Sequence, residues 1–149
     1  MILIAHRGNV SGKKPELENH PDYIKKALEE DYQVEIDVWY EDKKWLLGHD
    51  KPTYEIEEEF LLREGLWCHA KNIQALRELI LLDVHCFWHQ EDDVVLTTRN
   101  YMWTFPGKKL TSQSVAVHPE RSHYSKKELK KCSAICSDNI KKYKKILGE

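Results

Sequence analysis

The sequence predicts a single domain of the mixed α/β class that spans residues 1–149. A chain of 149 residues suits one hydrophobic core. Short apolar runs of strand length alternate with segments of helical spacing, and no repeat, low-complexity tract or linker divides the chain. The formal net charge of -2 does not fit the uniformly basic surface of a nucleic-acid-binding protein, so no nucleic-acid partner is expected.

Strand and helix patterns follow one another through the first third of the chain. The apolar run Ile2 to Ala5 predicts a buried strand. Apolar residues at helical spacing from Tyr23 to Leu28 predict a helix with Pro21 in its first turn. Val34 to Tyr40 predicts the next strand. A short turn then leads to Trp45 to Leu47, so a hairpin is expected to bring the following residues back to the same end of the sheet.

The spacing of the predicted elements changes beyond the middle of the chain. Runs of strand character at Val84 to His89, Val94 to Thr98 and Tyr101 to Phe105 are separated by only a few residues. Parallel neighbours need a crossover of roughly a dozen residues or more, so at least one of these pairs is expected to be an antiparallel hairpin. The other predicted elements are a short acidic helix from about Tyr54 to Arg63, a strand at Leu66 to His69, a helix from Ile73 to Ile80, a strand at Ser114 to Val117, a helix from about Ser125, a strand at Ala134 to Cys136 and a closing helix from about Asn139.

Two carboxylates lie on one face of the predicted strand Val34 to Tyr40. Side chains alternate along a strand, so Glu35 and Asp37 share a face and lie about 7 Å apart along it. Two buried carboxylates side by side are costly unless a cation lies between them. Hard oxygen ligands at this spacing suit Mg²⁺ or Ca²⁺. The alternative is an edge strand with a solvated acidic face, and this segment alone leaves both interpretations open.

Two further segments at predicted strand ends carry groups suited to phosphodiester chemistry. His6 and Arg7 follow the first strand, and His49 follows the hairpin. Histidine exchanges protons near neutral pH, and the planar guanidinium of arginine suits phosphate. Cleavage of a phosphodiester needs one group to deprotonate the nucleophile and another to protonate the leaving alkoxide. His6 and His49 are therefore candidate acid/base residues.

Four short motifs follow one another in the first third of the chain: His6-Arg7-Gly8, Glu18-Asn19, Glu35-x-Asp37 and His49-Asp50. Taken in order, they resemble the opening of the glycerophosphodiester phosphodiesterase family, within the phosphatidylinositol-phospholipase-C-like superfamily. The order and spacing of the four motifs make the resemblance more specific than any single motif.

The resemblance implies a TIM-type barrel whose site lies at the carboxyl ends of the strands. It implies that His6 and His49 form the acid/base pair and that Arg7 lies near the phosphate. It also implies a set of metal ligands and one loop-supporting residue. These are Glu35 and Asp37 as ligands, Glu18 as a further candidate ligand and Asn19 as the support of the loop.

The sequence departs from the family at the end of the third strand. Where the family usually has Glu-x-Lys, this chain has His69-Ala70-Lys71, so the expected third acidic ligand is absent. Lys71 can still contact a phosphate. His69 either ligates in place of the carboxylate, which would shift the preference towards Mn²⁺ or Zn²⁺, or hydrogen-bonds a neighbour. Glu91 and Glu120 are other candidate sources of the missing oxygen.

Length is the second departure. A barrel of this type normally needs about 200 residues or more. The sequence therefore predicts a reduced or incomplete TIM-type barrel in which a β-hairpin near Val94 to Phe105 replaces some helices. Without covering helices, the apolar side chains of this hairpin would be exposed over a large area. A homodimer through this surface is therefore expected, since twofold pairing is the commonest way to cover such a patch.

The predicted function is cleavage of a small glycerophosphodiester-like substrate by a metal-dependent phosphodiesterase that uses histidine acid/base catalysis. One alternative is a non-catalytic module that binds phosphate and metal on a degenerate phosphodiesterase barrel. Another is a transition-metal site assembled from His69, His89 and His118. The substrate head group, the choice between hydrolysis and intramolecular cleavage, and the identity of acid and base stay open.

The cysteines and the start of the chain bear on location. Met1 to Ala5 is too short for a signal peptide or a membrane span. Without a secretory signal, Cys68, Cys86, Cys132 and Cys136 are expected to be reduced thiols. A cytoplasmic location is therefore expected.

Overall fold

The computed structural model describes residues 1–149 and has a mixed α/β architecture built on one sheet. The ten strands are β1 (Ile2–His6), β2 (Gln33–Glu41), β3 (Lys44–Leu47), β4 (Tyr54–Ile56), β5 (Leu66–Ala70), β6 (Cys86–Phe87), β7 (Val94–Leu96), β8 (Met102–Thr104), β9 (Ser114–Val117) and β10 (Ala134–Ser137). The helices are α1 (Pro21–Glu29), α2 (Glu58–Leu61), α3 (Ile73–Leu81), α4 (Lys126–Leu129) and α5 (Ile140–Leu147).

The sheet is curled into a half-barrel and most of its pairings are parallel. Its main path runs β4-β3-β2-β1-β10-β9-β8-β7, and β5 joins the side of β2 and carries β6. β1 lies parallel to both β2 and β10, β9 lies parallel to both β10 and β8, and β5 lies parallel to both β2 and β6. Only the β2-β3, β3-β4 and β7-β8 pairs are antiparallel. The predicted α/β class is confirmed, and the curled sheet is compatible with an incomplete barrel.

Two apolar clusters cover the two faces of the sheet. The larger one joins strand residues such as Ile36 to helix residues such as Ile24, Leu79 and Ile140, so it lies between the sheet and its helices. The smaller one contains strand residues alone and fills the concave face: Ile4, Trp67, Phe87, Trp103, Val115, Val117, Ala134 and Cys136. The rings of Phe87 and Trp103 are 4.5 Å apart, so the concave face is packed rather than hollow.

The two-strand arm after β2 differs from the sequence prediction in one element. The predicted acidic helix Tyr54 to Arg63 is wrong in its first half, because Tyr54–Ile56 forms β4 and α2 covers only Glu58–Leu61. β4 pairs antiparallel with β3, which gives the backbone of β3 a hydrogen-bonding partner on its second side. Tyr54 and Ile56 pack on the core, so alternation rather than helical spacing governs this segment.

The predicted strand Val84 to His89 is also shorter than expected, because only Cys86 and Phe87 are extended. Thr98, in the turn after β7, meets this edge. Its backbone N–H donates to Cys86 O at 3.0 Å, and its Oγ1 accepts from Cys86 N at 3.0 Å. A threonine side chain therefore replaces part of a strand ladder and covers the β6 edge.

The predicted antiparallel hairpin between Val94 and Phe105 is confirmed as β7 and β8. Asn100, with φ of 64°, lies in its turn. The hairpin packs Trp103 into the concave face, with Val95 and Tyr101 partly buried beside it. Val94, Leu96 and Phe105 stay exposed. Self-association through this surface remains a prediction. None of the helices has the length and apolarity needed to cross a bilayer.

Gly48 is expected to be essential for the loop that ends the β2-β3 arm. Its φ is +154°, and a Cβ there would lie 2.1 Å from Lys51 O. Gly48→Ala should lower the free energy of unfolding by at least roughly 2 kcal/mol, since backbone strain and steric overlap both act. Gly107→Ala is the control, because Gly107 has φ of +81° and no neighbouring atom within 4 Å. Urea denaturation of both variants tests this, and equal losses would contradict the steric cause.

Candidate functional site

Polar side chains cluster where the parallel strands end, around a pocket of about 350 Å³. Because parallel neighbours share a direction, their carboxyl ends meet at one edge of the sheet. The concave-face positions of the strands are apolar in the middle and become polar at this end, as Ile4 is followed by His6 on β1 and Trp67 by His69 on β5. The predicted residues His6, Arg7, Glu35, His49, His69 and Lys71 all line this pocket.

The acidic pair on β2 is buried. Glu35 is 2% exposed and Asp37 is 0% exposed, and both lie on the concave side with Gln33, whose Oε1 accepts a hydrogen bond from Trp67 Nε1. Glu35 Oε2 and Asp37 Oδ1 have no hydrogen-bond donor within the protein. Buried polar atoms are normally satisfied, so two orphaned carboxylate oxygens on one face of a strand would suit a cationic partner.

Arg7 connects the acidic pair to the loop after β1. Its Nε lies 3.0 Å from Asp37 Oδ2 as an ion pair, and its Nη1 donates to Glu18 Oε2 at 3.1 Å. Glu18 Oε1 also accepts a hydrogen bond from Asn9 Nδ2 at 3.0 Å. Glu18 is therefore held by Arg7 and Asn9, and the structure does not bring this candidate ligand into the group formed with Glu35 and Asp37.

Asn19 orients Asp37 from the same loop. Its Nδ2 donates to Asp37 Oδ2 at 2.8 Å, and its Oδ1 accepts from the Asp37 backbone N–H at 2.9 Å. Its own N–H donates to Arg7 O at 3.1 Å. Asn19 supports the loop, as expected, and it also fixes which oxygen of Asp37 stays free.

His69 completes the group around the acidic pair. Its Nδ1 lies 3.1 Å from Asp37 Oδ1 and 3.7 Å from Glu35 Oε1, without satisfying the direction of a hydrogen bond to the orphaned Asp37 Oδ1. Its Nε2 donates to the carbonyl oxygen of His89 at 3.0 Å. A carbonyl oxygen only accepts, so the hydrogen of a neutral His69 is on Nε2 and its Nδ1 lone pair faces the carboxylates.

The two carboxyls of the pair have opposite pKa shifts. Burial, together with the adjacent charge of Asp37, raises the pKa of Glu35 well above its ordinary value. Burial also acts to raise the pKa of Asp37, but a hydrogen on Nδ1 of protonated His69 and the Arg7 guanidinium outweigh it and hold that pKa well below its usual range. The protein alone therefore stabilises one negative charge here, and a second charge needs a further cation.

The donor set fits a divalent metal ion. Ligand atoms from Glu35, Asp37 and His69 lie within 4.8 Å of one another. A metal-bound histidine usually donates its second ring N–H to a carbonyl or carboxylate, as Nε2 of His69 does to His89 O. Lys71 Nζ lies 4.0 Å from Asp37 Oδ1 at the edge of this group. Glu91 is exposed and Glu120 is bonded elsewhere, so neither supplies a third acidic oxygen to this group.

His6 forms a second polar group with Asp138, the residue that follows β10. His6 Nδ1 donates to Asp138 Oδ1 at 2.7 Å, and His6 Nε2 lies 3.7 Å from Glu35 Oε2. The parallel register of β1 and β10 sets Ala5 opposite Ser137 and thereby brings these two side chains together. Burial is the main cause that lowers the pKa of His6 to about 4, so its imidazole is neutral at pH 7.

His118 and Glu120, which follow β9, extend this second group. The His118 ring contacts the His6 ring edge to face at a centroid distance of 4.4 Å, and its Nδ1 lies 3.2 Å from Glu120 Oε1. His6, His118 and Asp138 also have the spacing of metal ligands. However, Asp138 Oδ1 already accepts hydrogen bonds from His6 and Asn9, so this group is satisfied without an ion. Hydrogen-bond networks of this kind are ordinary in buried polar clusters.

The other sequence-based candidates are arranged as follows. His49 lines the pocket from an exposed loop, and its Nδ1 bonds Asp50 Oδ1 at 2.7 Å. The alternative trio of His69, His89 and His118 is not assembled, because His118 contacts His6 while His89 offers its backbone carbonyl to His69. The site thus has two separate groups, one built on the acidic pair and one on His6.

No family model, no curated protein and no solved structure matches this chain.

The pKa of His6 predicts an acid-sensitive fold. Between its ordinary value of 6.5 and its folded value of about 4, the unfolded chain binds a proton that the folded chain does not. Stability therefore falls as the pH drops through this window, by an amount on the order of 3 kcal/mol from this group. Chemical denaturation at pH 7 and pH 4.5 without added metal should show a smaller loss for His6→Asn than for the wild type.

A substitution at the exposed His123 is the control for the pH experiment. His123→Asn should retain the full loss of stability between pH 7 and pH 4.5, since this side chain is not buried. If His6→Asn loses as much stability as the wild type, burial of a neutral His6 is not the cause of the acid sensitivity.

Proposed function

We propose that the chain is a metal-dependent phosphodiesterase, a shortened relative of the glycerophosphodiester phosphodiesterases on an incomplete TIM-type barrel. One observation carries the proposal: the buried pair Glu35 and Asp37 has two unsatisfied carboxylate oxygens. Asp37 Oδ1 lies 3.1 Å from His69 Nδ1, and Glu35 Oε2 lies 3.7 Å from His6 Nε2. This group faces a polar pocket that is also lined by His6, which is hydrogen-bonded to a carboxylate, and by several positively charged side chains. Such a combination suits a substrate that is an anion and needs proton transfer.

Glu35, Asp37 and His69 would hold the metal ion. Two carboxylates with one imidazole suit Mn²⁺ or Zn²⁺ in addition to the harder Mg²⁺ or Ca²⁺. When bound, such an ion neutralises charge on a non-bridging oxygen of the phosphate. Asn19 and Arg7 keep Asp37 in position for this role, since both contact its Oδ2 and leave Oδ1 free.

His6 is suited to act as a general base. Asp138 accepts the Nδ1–H, so the lone pair of a neutral His6 is on Nε2. The low pKa of His6, caused mainly by burial, keeps this atom unprotonated at neutral pH. His6 Nε2 would take a proton from water or from a substrate hydroxyl, and the choice between them decides between hydrolysis and intramolecular cleavage.

Two cations would bind the phosphate itself. Lys71 lines the pocket and lies at ion-pairing distance from only Asp37, 4.0 Å away. Arg7 is largely committed, because Nε pairs with Asp37 and Nη1 with Glu18, which leaves Nη2 for a phosphate oxygen. Lys71 is therefore proposed as the main phosphate contact. Arg7 would contact the phosphate through Nη2 alone, and its other role is to hold Asp37 in place.

Metal binding is expected to depend on all three proposed ligands. Isothermal titration with Mn²⁺ should show one site in the wild type and none in a Glu35→Gln, Asp37→Asn double variant. His69→Asn should lower the affinity for Mn²⁺ and Zn²⁺ by more than the affinity for Mg²⁺, because nitrogen is a weaker ligand for the harder ion. The Mn²⁺ affinity should change least in Glu18→Gln, since Glu18 lies outside the group. Undiminished Mn²⁺ binding by the double variant would place the metal elsewhere.

Turnover is expected to require the metal and His6. A phosphodiester such as glycerophosphoethanolamine, incubated with the wild-type protein and Mn²⁺, should release its alcohol, and chelation should stop the reaction. His6→Asn should reduce the rate by roughly 10²- to 10⁴-fold, the usual contribution of acid/base catalysis. Metal binding without any turnover in the wild type would instead support a non-catalytic module that binds phosphate and metal.

A further inference from the structure

We infer that His118 is the general acid of this site and protonates the departing alcohol, and that it replaces His49 as the partner of His6 in the acid/base pair. The inference rests on the proposed phosphodiesterase function and deepens it. It comes from the position of His118 beside His6, from the atom through which each ring is bonded, and from the contrast with His49.

His118 lies in the wall of the pocket next to the proposed base. Its ring contacts the His6 ring at 4.4 Å with an interplanar angle of 82°. His6 in turn lies 3.7 Å from Glu35, so both imidazoles are on the side of the pocket that adjoins the acidic pair. A phosphate bound there would be within reach of two histidines, as acid and base catalysis requires.

The hydrogen bonds of His118 leave one ring nitrogen for the substrate. Nδ1 lies 3.2 Å from Glu120 Oε1, and a carboxylate only accepts, so Nδ1 carries a hydrogen. Glu120 is itself fixed, because Ser137 Oγ lies 3.1 Å from each of its carboxylate oxygens. Nε2 makes no hydrogen bond within the protein. The Glu120-His118 pair therefore has the same arrangement as Asp138-His6, in which a carboxylate fixes the ring and Nε2 is the atom that exchanges protons.

The backbone also holds His118 in one orientation. Its φ of 42° and ψ of 56° are in the left-handed region, which non-glycine residues seldom adopt. Two hydrogen bonds keep it there: its N–H donates to Cys136 O at 2.8 Å, and its carbonyl accepts from Arg121 N at 2.9 Å. Sparsely populated backbone conformations of this kind occur preferentially at functional sites. The imidazole is thus positioned before any substrate binds.

His49 lacks these features. Its side chain is 42% exposed and its bonded partner Asp50 is 92% exposed, whereas the side chain of His118 is 8% exposed. An exposed pair on a loop is free to reorient, and water competes for its hydrogen bonds. Of the two histidines, His118 is the one held rigidly beside His6.

The proton transfers balance as follows. His6 Nε2 takes a proton from the attacking water or hydroxyl as its oxygen forms a bond to phosphorus. The bond from phosphorus to the alcohol oxygen breaks, and Nε2–H of the imidazolium form of His118 gives its proton to that oxygen. Afterwards His6 releases its proton to solvent and His118 takes one up, so hydrolysis consumes one water and no other reactant.

The dependence on the leaving group separates a general acid from a structural residue. The test compares two substrates with the Mn²⁺-loaded protein: glycerophosphoethanolamine, whose alkoxide must be protonated, and bis(4-nitrophenyl) phosphate, whose phenolate leaves without a proton. His118→Asn should lower cleavage of the alkyl ester by roughly 100-fold or more and that of the nitrophenyl ester by less than tenfold. Asparagine is chosen because it tolerates the left-handed backbone.

His49→Asn is the matched variant and should change cleavage of the two esters by a similar factor. A leaving-group dependence in His49→Asn, and none in His118→Asn, would overturn the inference and return the role to His49. Equal losses on both esters in His118→Asn would also overturn it, since they would show a structural role. If the Mn²⁺-loaded wild type cleaves neither ester, the proposed function fails and the inference fails with it.

Discussion

The structure depends most on the burial of two carboxyl groups on one face of β2. Glu35 and Asp37 are almost inaccessible to solvent, and two of their oxygens lack any donor within the protein. Isolated buried carboxylates are costly, so the surrounding chain has to supply cations and hydrogen bonds. Arg7, Asn19, His69 and Lys71 all converge on Asp37, and no comparable set of contacts reaches Glu35 Oε2. This imbalance is the physical reason to expect a bound cation.

The curled parallel sheet makes this arrangement possible in a short chain. Its concave face is filled by aromatic and aliphatic side chains, which exclude water beneath the acidic pair and strengthen electrostatic interactions there. The strand ends then bring His6, His69 and Asp138 together from three different strands or the residues just after them. Thr98, in the turn of the β7-β8 hairpin, hydrogen-bonds Cys86 and covers the edge of β6. A chain of 149 residues thereby builds one half-barrel and a pocket at one end of it.

Local patterns in the sequence predict many of the strands and the shared face of the acidic pair. Contacts that depend on the pairing of distant strands cannot be predicted in this way. Alternation along β2 was enough to predict that Glu35 and Asp37 share a face, and close spacing predicted the β7-β8 hairpin. The sequence could not show that Asp138 meets His6, because 132 residues separate them and only the pairing of β1 with β10 joins them. The position of Glu18 could not be predicted either, since its hydrogen bonds to Arg7 and Asn9 depend on how one loop folds. The helix predicted at Tyr54–Ile56 is wrong for a local reason, because a strand of three residues is too short for its alternating burial to be recognised in the sequence.

We propose that Glu35, Asp37 and His69 together bind a divalent metal ion, with His69 as a direct ligand through Nδ1. Pulsed electron paramagnetic resonance of the Mn²⁺-loaded protein measures this directly, because a coordinated imidazole nitrogen couples to the manganese electron spin. We expect a nitrogen coupling in the wild type that disappears in His69→Asn while Mn²⁺ remains bound at reduced affinity. Bound Mn²⁺ without any nitrogen coupling, or a coupling that survives in His69→Asn, would contradict it.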